Sequence, residues 1–121
     1  RPARQRRWRG RKPRWETLPM KRGEVWWVNV GSPVGGEIQK QRPGVIVSND
    51  ASNKHLNRVQ VVPLTSSVEH LYPSEASVMV KGKKNKAMSD QLTTVSKTHL
   101  LSLVGRLSTA DLKGVEEAIR V

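Results

Sequence analysis

The pattern of apolar and polar positions predicts a domain built mainly from short strands. Residues 24–30 are rich in β-branched and aromatic side chains, which favour strands, and Trp26, Val28 and Val30 fall on one face. Residues 44–48 form a second predicted strand that is almost entirely apolar. We therefore expect this second strand to be buried on both faces.

Three further strands are predicted, and they span residues 59–65, 76–80 and 87–95. The internal Pro63 indicates a sheet edge or a bulge just before Thr65, because proline cannot donate to a strand ladder. A basic turn at residues 81–85 joins the last two strands, and the polar residues 48–57 leave room for one helical turn. Strands spaced in this way indicate a small barrel or a strongly bent sheet.

The end of the chain has a helical pattern. Ser108 is typical of an N-cap, and Asp111 stands at the third helical position. The helix is expected to run to about Arg120, with one apolar face made by Leu112, Val115 and Ile119. This face predicts packing against the sheet, so the fold class is mainly β with a C-terminal helix.

Length and composition narrow the class of protein. A chain of 121 residues builds one ordinary domain, and the absence of cysteine excludes disulfides and thiolate metal sites. No apolar run is long enough to span a membrane, and no apolar segment follows the arginine-rich start, so we expect neither a membrane span nor a secretion signal. The net charge of +12 favours a polyanionic partner.

The charge is concentrated at the start of the chain. Residues 1–19 hold eight of the 22 lysines and arginines against one acidic residue, a net +7 that leaves +5 for the rest. This segment shows no helical or strand period, and we expect a disordered or non-native extension followed by a domain over residues 20–121. The alternative is a basic arm that grips phosphates and stacks Trp8 and Trp15 on bases.

The candidate chemistry centres on Arg42. Pro43 is expected to open the second strand and to hold Arg42 extended at a rigid strand entrance, next to a glycine-rich loop at residues 31–40. The hydroxyl-rich strand end at residues 63–67 is expected to face the same side. A guanidinium and a threonine hydroxyl together suit a phosphorane-like transition state.

Other reaction types find little support in the sequence. The histidines, His55, His70 and His99, lie on separate segments, and no carboxylates cluster with metal-ligand spacing. No glycine-rich phosphate loop precedes a lysine and a serine or threonine. We expect neither a metal nor a cofactor.

Five short stretches, in this order, resemble the MazF/PemK family of toxin endoribonucleases: KRGEVW at 21–26, GGE at 35–37, QRPGVIVSND at 41–50, VVPLTS at 61–66 and SDQL at 89–92. The resemblance implies an SH3-like barrel of the CcdB/MazF/PemK type, a homodimer, and metal-independent cleavage of single-stranded mRNA. It also implies a cytoplasmic protein whose cognate antitoxin blocks the RNA groove with a disordered segment and provides the only link to DNA.

Matched by position, the resemblance implies that Arg42 and Thr65 are catalytic. The ribose 2′-OH would attack the adjacent phosphate and leave a 2′,3′-cyclic phosphate and a 5′-OH. Because arginine stays protonated, we assign Arg42 to the phosphate and Thr65 to its orientation, and the general base stays open. Residues expected to contact RNA are Gly36, Glu37, Gln39, Lys40, Asn49, Ser66, Ser67, His70, Asp90 and Gln91.

Several alternatives stay open at this point. Taken singly, Arg42 is explained as a solvated strand-end charge, and His70 is a rival acid or base, a peripheral RNA contact or a plain loop residue. The lysines at 81, 83, 84 and 86 are explained by a charged hairpin turn or by non-specific phosphate attraction. A toxin of the same fold that poisons DNA gyrase, or a non-enzymatic RNA-binding domain, is the alternative function.

Overall fold

The computed structural model describes residues 20–29 and 41–120. Within these residues the chain forms, in order, β1 Glu24–Asn29, β2 Gln41–Ile46, α1 Asp50–His55, β3 Arg58–Thr65, β4 Glu75–Val80, β5 Lys83–Met88, β6 Thr93–Ser96, β7 Leu100–Arg106 and α2 Thr109–Ile119. Val30 and the loop at 31–40 lie outside the described residues, as do residues 1–19.

The strands form one curled antiparallel sheet. Its path is β4-β5-β3-β2-β1-β7, and β6 pairs separately with β3. The curl brings the two ends of this path together, because a Cβ placed on Gly105 of β7 would lie 3.9 Å from Lys81 Cγ, just beyond β4. The prediction of a bent, mainly β domain with a C-terminal helix is confirmed.

Two hydrophobic clusters lie on opposite faces of the central strands. One cluster contains Val45 and Val62 and extends to β4, β5 and helix α2, whereas the other contains Trp26, Ile46 and Val61. Because side chains alternate along a strand, β1, β2 and β3 each supply residues to both clusters. This confirms that the second strand is buried on both faces, and it explains its continuous apolar run.

The expectation that Pro43 opens the second strand is wrong. Strand β2 begins at Gln41, so the proline is its third residue. Strand β1 continues to Asn29 and supplies cross-strand partners for the residues before the proline, including Val28 for Arg42. Arg42 therefore belongs to the sheet and is fixed by its ladder.

The sequence predicts a sheet edge or a bulge at Pro63, and the structure shows instead an interruption of the ladder on one side of an internal strand. Strand β3 is internal: on one side it pairs with β2, and on the other it pairs first with β6 and then with β5. The β6 ladder ends at Val61 and the β5 ladder begins at Leu64. Pro63 lies between these two ladders, where its missing N–H removes no hydrogen bond to a strand on that side.

The single strand expected over residues 87–95 is divided. Strand β5 ends at Met88, a 3₁₀ turn occupies Ser89–Gln91, and β6 follows. The buried Ser89 hydroxyl donates to the backbone carbonyl of Val115 on α2 at 3.2 Å, which draws the chain onto the helix. The chain therefore turns where the apolar pattern alone predicts a continuous strand.

The basic turn before β5 is shorter than expected. Only Lys81 and Gly82 form it, since Val80 pairs with Lys83 across the hairpin. Both turn residues have positive φ, 50° for Lys81 and 78° for Gly82. A two-residue turn of this kind matches the right-handed twist of the flanking strands.

The C-terminal helix is confirmed, together with its cap. The Ser108 hydroxyl accepts a hydrogen bond from the Asp111 amide at 3.1 Å, a contact typically worth about 1 kcal/mol. Val115 is fully buried, and Leu112 and Ile119 pack against the same cluster. The predicted turn of helix after β2 is confirmed as α1. Among the described residues, no helix is long and apolar enough to cross a membrane.

Candidate active site

A cleft of about 550 Å³ opens where the start of β2, the end of β3 and the β4–β5 hairpin meet. Its lining residues are Trp27, Gln41, Arg42, Pro43, Leu64, Thr65, Ser66, Val80, Lys81, Lys83, Asn85 and Val104. Both residues expected to be catalytic therefore line the same cleft.

The register of the sheet explains why Arg42 and Thr65 line one cleft. The β2–β3 ladder runs from Ile46 with Val61 to Gly44 with Pro63, and Arg42 and Thr65 lie two residues beyond this last pair on their own strands. Residues two apart on a strand share a face, so both side chains leave the sheet on one side. The pairing of β2 with β3 thus carries both residues to the same end of the sheet, where they line the cleft.

The Arg42 guanidinium has no partner among the described residues that would compete with an anion. The residue is exposed, and within residues 20–29 and 41–120 it forms no ion pair or hydrogen bond. Its planar set of N–H donors matches the geometry of two phosphate oxygens. The backbone beneath it is fixed by β1, so the donors start from a defined position.

The Thr65 hydroxyl is held by the chain that follows it. Its Oγ1 accepts a hydrogen bond from the Ser67 amide at 3.2 Å. This contact uses a lone pair and leaves the hydroxyl proton available as a donor. Ser66 also lines the cleft, and Ser67 is exposed beside it.

All charged side chains described in the cleft are positive. Three cations line it, Arg42, Lys81 and Lys83, and no described acidic residue does. The remaining wall is largely apolar, with Trp27 40% exposed beside Pro43. This combination suits a phosphodiester whose base lies against an apolar wall.

A second group of side chains fixes the segment that leaves Thr65. Lys86 lies opposite Thr65 on β5, and its Nζ is 3.0 Å from Glu75 Oε1 and 2.8 Å from the His70 carbonyl. The Tyr72 amide donates to Glu75 Oε1 at 3.0 Å. This hydrogen bond, followed by Lys86, holds the pKa of Glu75 below its usual value. Lys86 is thus a strand residue with two polar partners.

Several residues expected to bind RNA do not line the cleft. Asn49 caps α1 by accepting from the Ser52 amide at 2.8 Å, and it lines a separate polar hollow of about 390 Å³. Asp90 and Gln91 lie in the 3₁₀ turn after β5, and His70 is exposed in the segment between β3 and β4. Four other expected contacts, Gly36, Glu37, Gln39 and Lys40, lie outside the described residues.

Parts of the quoted motifs hold the fold together. The buried Glu24 accepts hydrogen bonds from the Lys21 amide and the Trp26 indole, at 2.9 and 3.0 Å. Asp50 accepts from the Arg22 amide at 2.7 Å, and the Arg22 side chain pairs with Glu116 on α2. These contacts join the first strand to both helices, so the motif residues concerned act in stability.

Some cleft residues were not singled out from the sequence. Trp27 is one of them. It lies between Trp26 and Val28, which share one face of β1, so alternation along the strand already placed Trp27 on the other face. Asn85 is another. The sequence explains Lys81 and Lys83 as part of a charged hairpin turn or as non-specific phosphate attraction, and the pairing of β4 with β5 brings both into the cleft. Among the residues with described positions, no group of three or more His, Asp or Glu side chains is placed to hold a metal ion.

Comparison with known proteins agrees with the fold and extends it. The family model described as the PemK-like, MazF-like toxin of type II toxin–antitoxin systems matches residues 21–121. The chain is 35% identical to the endoribonuclease MazF9 of Mycobacterium tuberculosis over 111 residues, which cover 84% of this chain and 94% of that protein. It is 22% identical to the endoribonuclease EndoA of Bacillus subtilis, covering 84% and 92%.

Solved structures show the same fold. An endoribonuclease from a mycobacterial species superposes with a TM-score of 0.70 at 22% identity, covering 84% of this chain and 88% of that one. MazF from Deinococcus radiodurans superposes with a TM-score of 0.70 at 20% identity, covering 84% and 94%. Since the family model spans most of the described domain, the chain belongs to the PemK-like, MazF-like toxins of type II toxin–antitoxin systems.

Proposed function

We propose that this toxin is an endoribonuclease that cuts single-stranded RNA in the cleft formed by Arg42 and Thr65. The observation that supports this most directly is the pairing of a guanidinium without a described partner and a hydroxyl proton free to donate, in a cleft with three cations and no described acid. Relatives named endoribonucleases support the same reaction.

The cleavage uses the nucleophile of the RNA itself. The ribose 2′-OH attacks the adjacent phosphorus, the bond to the 5′-oxygen breaks, and the products carry a 2′,3′-cyclic phosphate and a 5′-OH. The 2′-OH loses a proton and the leaving 5′-oxygen gains one. The protein therefore has to align the attack, support proton transfer and stabilise charge on the phosphate.

Each site residue has a part in this reaction. Arg42 binds two oxygens of the phosphate and stabilises the charge that develops on them. Thr65 donates its hydroxyl proton to a phosphate oxygen, while the Ser67 amide fixes the hydroxyl from behind. Lys81 and Lys83 attract the RNA backbone, and the apolar wall beside Trp27 holds a base.

The RNA-binding surface extends beyond the cleft. Ser66 and Ser67 adjoin the phosphate site, and the loop before β2 adds Gly36, Glu37, Gln39 and Lys40. His70, Asp90 and Gln91 are exposed, and we assign them to its margin. Asn49 caps α1 and lines a different hollow, so we leave it out of the RNA surface.

The domain that carries this activity is residues 20–121, and residues 1–19 form an extension. The match of the family model to residues 21–121 supports the boundary. The toxin works as a homodimer in the cytoplasm, where mRNA is its substrate. A cognate antitoxin covers the RNA groove with a disordered segment, in keeping with a related endoribonuclease whose structure includes its antitoxin.

Substitution of the site residues tests the reaction. We expect Arg42→Ala to slow cleavage of a long single-stranded RNA by about 10²–10³-fold, because a preorganised donor to the phosphate is lost. Thr65→Val should also slow it, whereas Thr65→Ser should retain most of the rate. Arg58→Ala is the matched control, since this exposed arginine lies outside the cleft. Wild-type cleavage by the Arg42→Ala protein would show that the site is misassigned.

Two further measurements separate this proposal from its alternatives. Cleavage in excess EDTA should proceed at the full rate, because the 2′-OH supplies the nucleophile. A supercoiling assay with DNA gyrase should show no inhibition. Gyrase inhibition without RNA cleavage would favour a non-catalytic toxin of the same fold.

A further inference from the structure

The segment that joins β3 to β4 begins and ends beside the same lysine. It leaves the sheet after Thr65 and returns to it at Glu75. Lys86 on β5 is the cross-strand neighbour of Thr65 on one side and of Ser77 on the other. The two ends of the segment are therefore brought to one side chain by the pairing of three strands.

Lys86 makes polar contacts with both halves of this segment. Its Nζ lies 2.8 Å from the His70 carbonyl and 3.0 Å from Glu75 Oε1, and it stands 5.7 Å from the centre of the Tyr72 ring. The same Glu75 oxygen accepts from the Tyr72 amide at 3.0 Å. The side chains of Lys86 and Glu75 are only 11% and 10% exposed, so water screens the pair weakly.

These contacts leave Lys86 badly placed to bind RNA directly. An ammonium group has three donors, and two acceptors in the segment already occupy its nearest surroundings. Lys84 lies two residues away on the same strand, is exposed, and forms no hydrogen bond or ion pair within the described residues. The two lysines thus carry the same charge in different settings.

We infer that Lys86 is a positioning residue for the cleavage reaction, acting through the segment between β3 and β4; the inference rests on the proposed function. The first bond of that segment, from the Ser67 amide to Thr65 Oγ1, sets the direction of the Thr65 hydroxyl. Lys86 fixes the segment three residues further on, at His70, and again at Glu75.

Removing the ammonium group should therefore act on the rate of the chemical step. The His70 carbonyl and the Glu75 carboxylate would both lose a partner, and the segment would separate from the sheet. The Ser67 amide would then hold Thr65 less often, and the hydroxyl would turn away from the phosphate. Contacts with the rest of the RNA would remain, so KM should change little.

The test compares Lys86→Met with Lys84→Met, which removes the same charge from the same strand. With a short single-stranded RNA that carries one cut site, we expect Lys86→Met to lower kcat by about 10-fold, with KM within about twofold of the Lys84→Met value. Lys84→Met should retain the wild-type kcat. Lys86→Arg should recover most of the lost rate, because its donors reach both acceptors.

Amide hydrogen exchange in the same proteins measures how firmly the segment between β3 and β4 is held, independently of activity. Faster exchange at Ser67 and Tyr72 in Lys86→Met, with unchanged exchange across β2 and α2, supports the inference and shows that the domain stays folded. A kcat equal to that of Lys84→Met, or unchanged exchange at both amides, overturns it. If the wild-type protein cuts no RNA while exchange still responds to Lys86→Met, the proposed function has failed and the structural link alone stands.

Discussion

At the scale of single residues, the polar side chains of this domain divide into two groups. Glu24, Ser89 and Lys86 are turned to backbone or side-chain partners within the domain. Arg42 has no partner among the described residues, and Thr65 donates its hydroxyl proton to none of them. The second group is the one available for chemistry, and it lies in the cleft.

Glu75 gives the domain a specific response to acid. Its pKa in the folded protein lies below 4.5, because the Tyr72 amide and Lys86 stabilise the carboxylate. As the pH falls, the unfolded chain takes up this proton first, so the stability from Glu75 is present above about pH 4.5 and is lost as the pH falls through the folded pKa. The free energy of unfolding of the wild type should therefore exceed that of Glu75→Gln by less and less as the pH falls below about 5.

Urea unfolding at a series of pH values measures this difference. Glu69→Gln is the matched control, since Glu69 is exposed and has no partner within the described residues. Its stability difference from the wild type should vary little over the same range. A Glu75→Gln difference that stays constant with pH would contradict the assignment.

The sequence was informative at this scale where chemistry depends on residue type. An arginine and a threonine at predicted strand ends, together with the family resemblance of their motifs, predicted a common phosphate site, and both residues line one cleft. The role of Asn49 as a helix cap was hidden, because an asparagine that caps a helix and one that binds RNA look alike in a sequence. The contacts of Lys86 with His70 and Glu75 were hidden in the same way, because the sequence does not show which partners a lysine has.

At the scale of elements, the pattern of apolar residues identified where strands lie more reliably than which strands pair. The strand expected over 87–95 is divided because Ser89 bonds to helix α2, a contact between distant parts of the chain. Pro63 fits in an internal strand because β3 exchanges its partner β6 for β5 beside this proline. Neither fact is contained in a local window of sequence, whereas the cap at Ser108 is local and was predicted.

The β4–β5 hairpin carries a lysine in an unfavourable conformation. Lys81 has φ of 50°, which costs most residues about 1 kcal/mol but suits asparagine. We expect Lys81→Asn to raise the unfolding free energy by up to about 1 kcal/mol. Because Lys81 lines the cleft, the same change should weaken RNA binding and reduce the slope of log affinity against log salt by about 0.7.

Thermal unfolding and RNA titration at several salt concentrations measure both effects. Lys113→Asn provides the comparison, since this exposed helix residue lies away from the cleft. It should leave the salt slope unchanged and gain no stability. Equal salt slopes for Lys81→Asn and the wild type would show that Lys81 does not contact the phosphates.

At the scale of the whole molecule, positive charge is distributed unevenly along the chain. Residues 1–19 carry +7 of the total +12. The cleft has its own cations in Arg42, Lys81 and Lys83, all within the domain. General attraction to RNA and cleavage of RNA should therefore be separable.

A protein limited to residues 20–121 tests this separation. We expect its melting temperature to lie within about 2 °C of the full chain, since the strands, helices and clusters of the described residues lie inside these bounds. Its affinity for RNA at low salt should fall, because counterion release by the arginines is lost, while kcat should stay near that of the full chain. A truncated protein that fails to fold would place the domain boundary earlier.

Strand β3 also determines how the cleft responds to damage elsewhere. The part before Pro63 pairs with β6, and the part after it pairs with β5 and carries Thr65, whereas Arg42 is anchored through β1. Arg42 and Thr65 are thus supported by two strands that do not pair with each other; β1 contributes to both hydrophobic clusters, whereas β5 contributes Ala87 to one of them. Loosening either cluster would shift one group relative to the other, so substitutions far from the cleft should reduce catalysis before they unfold the protein.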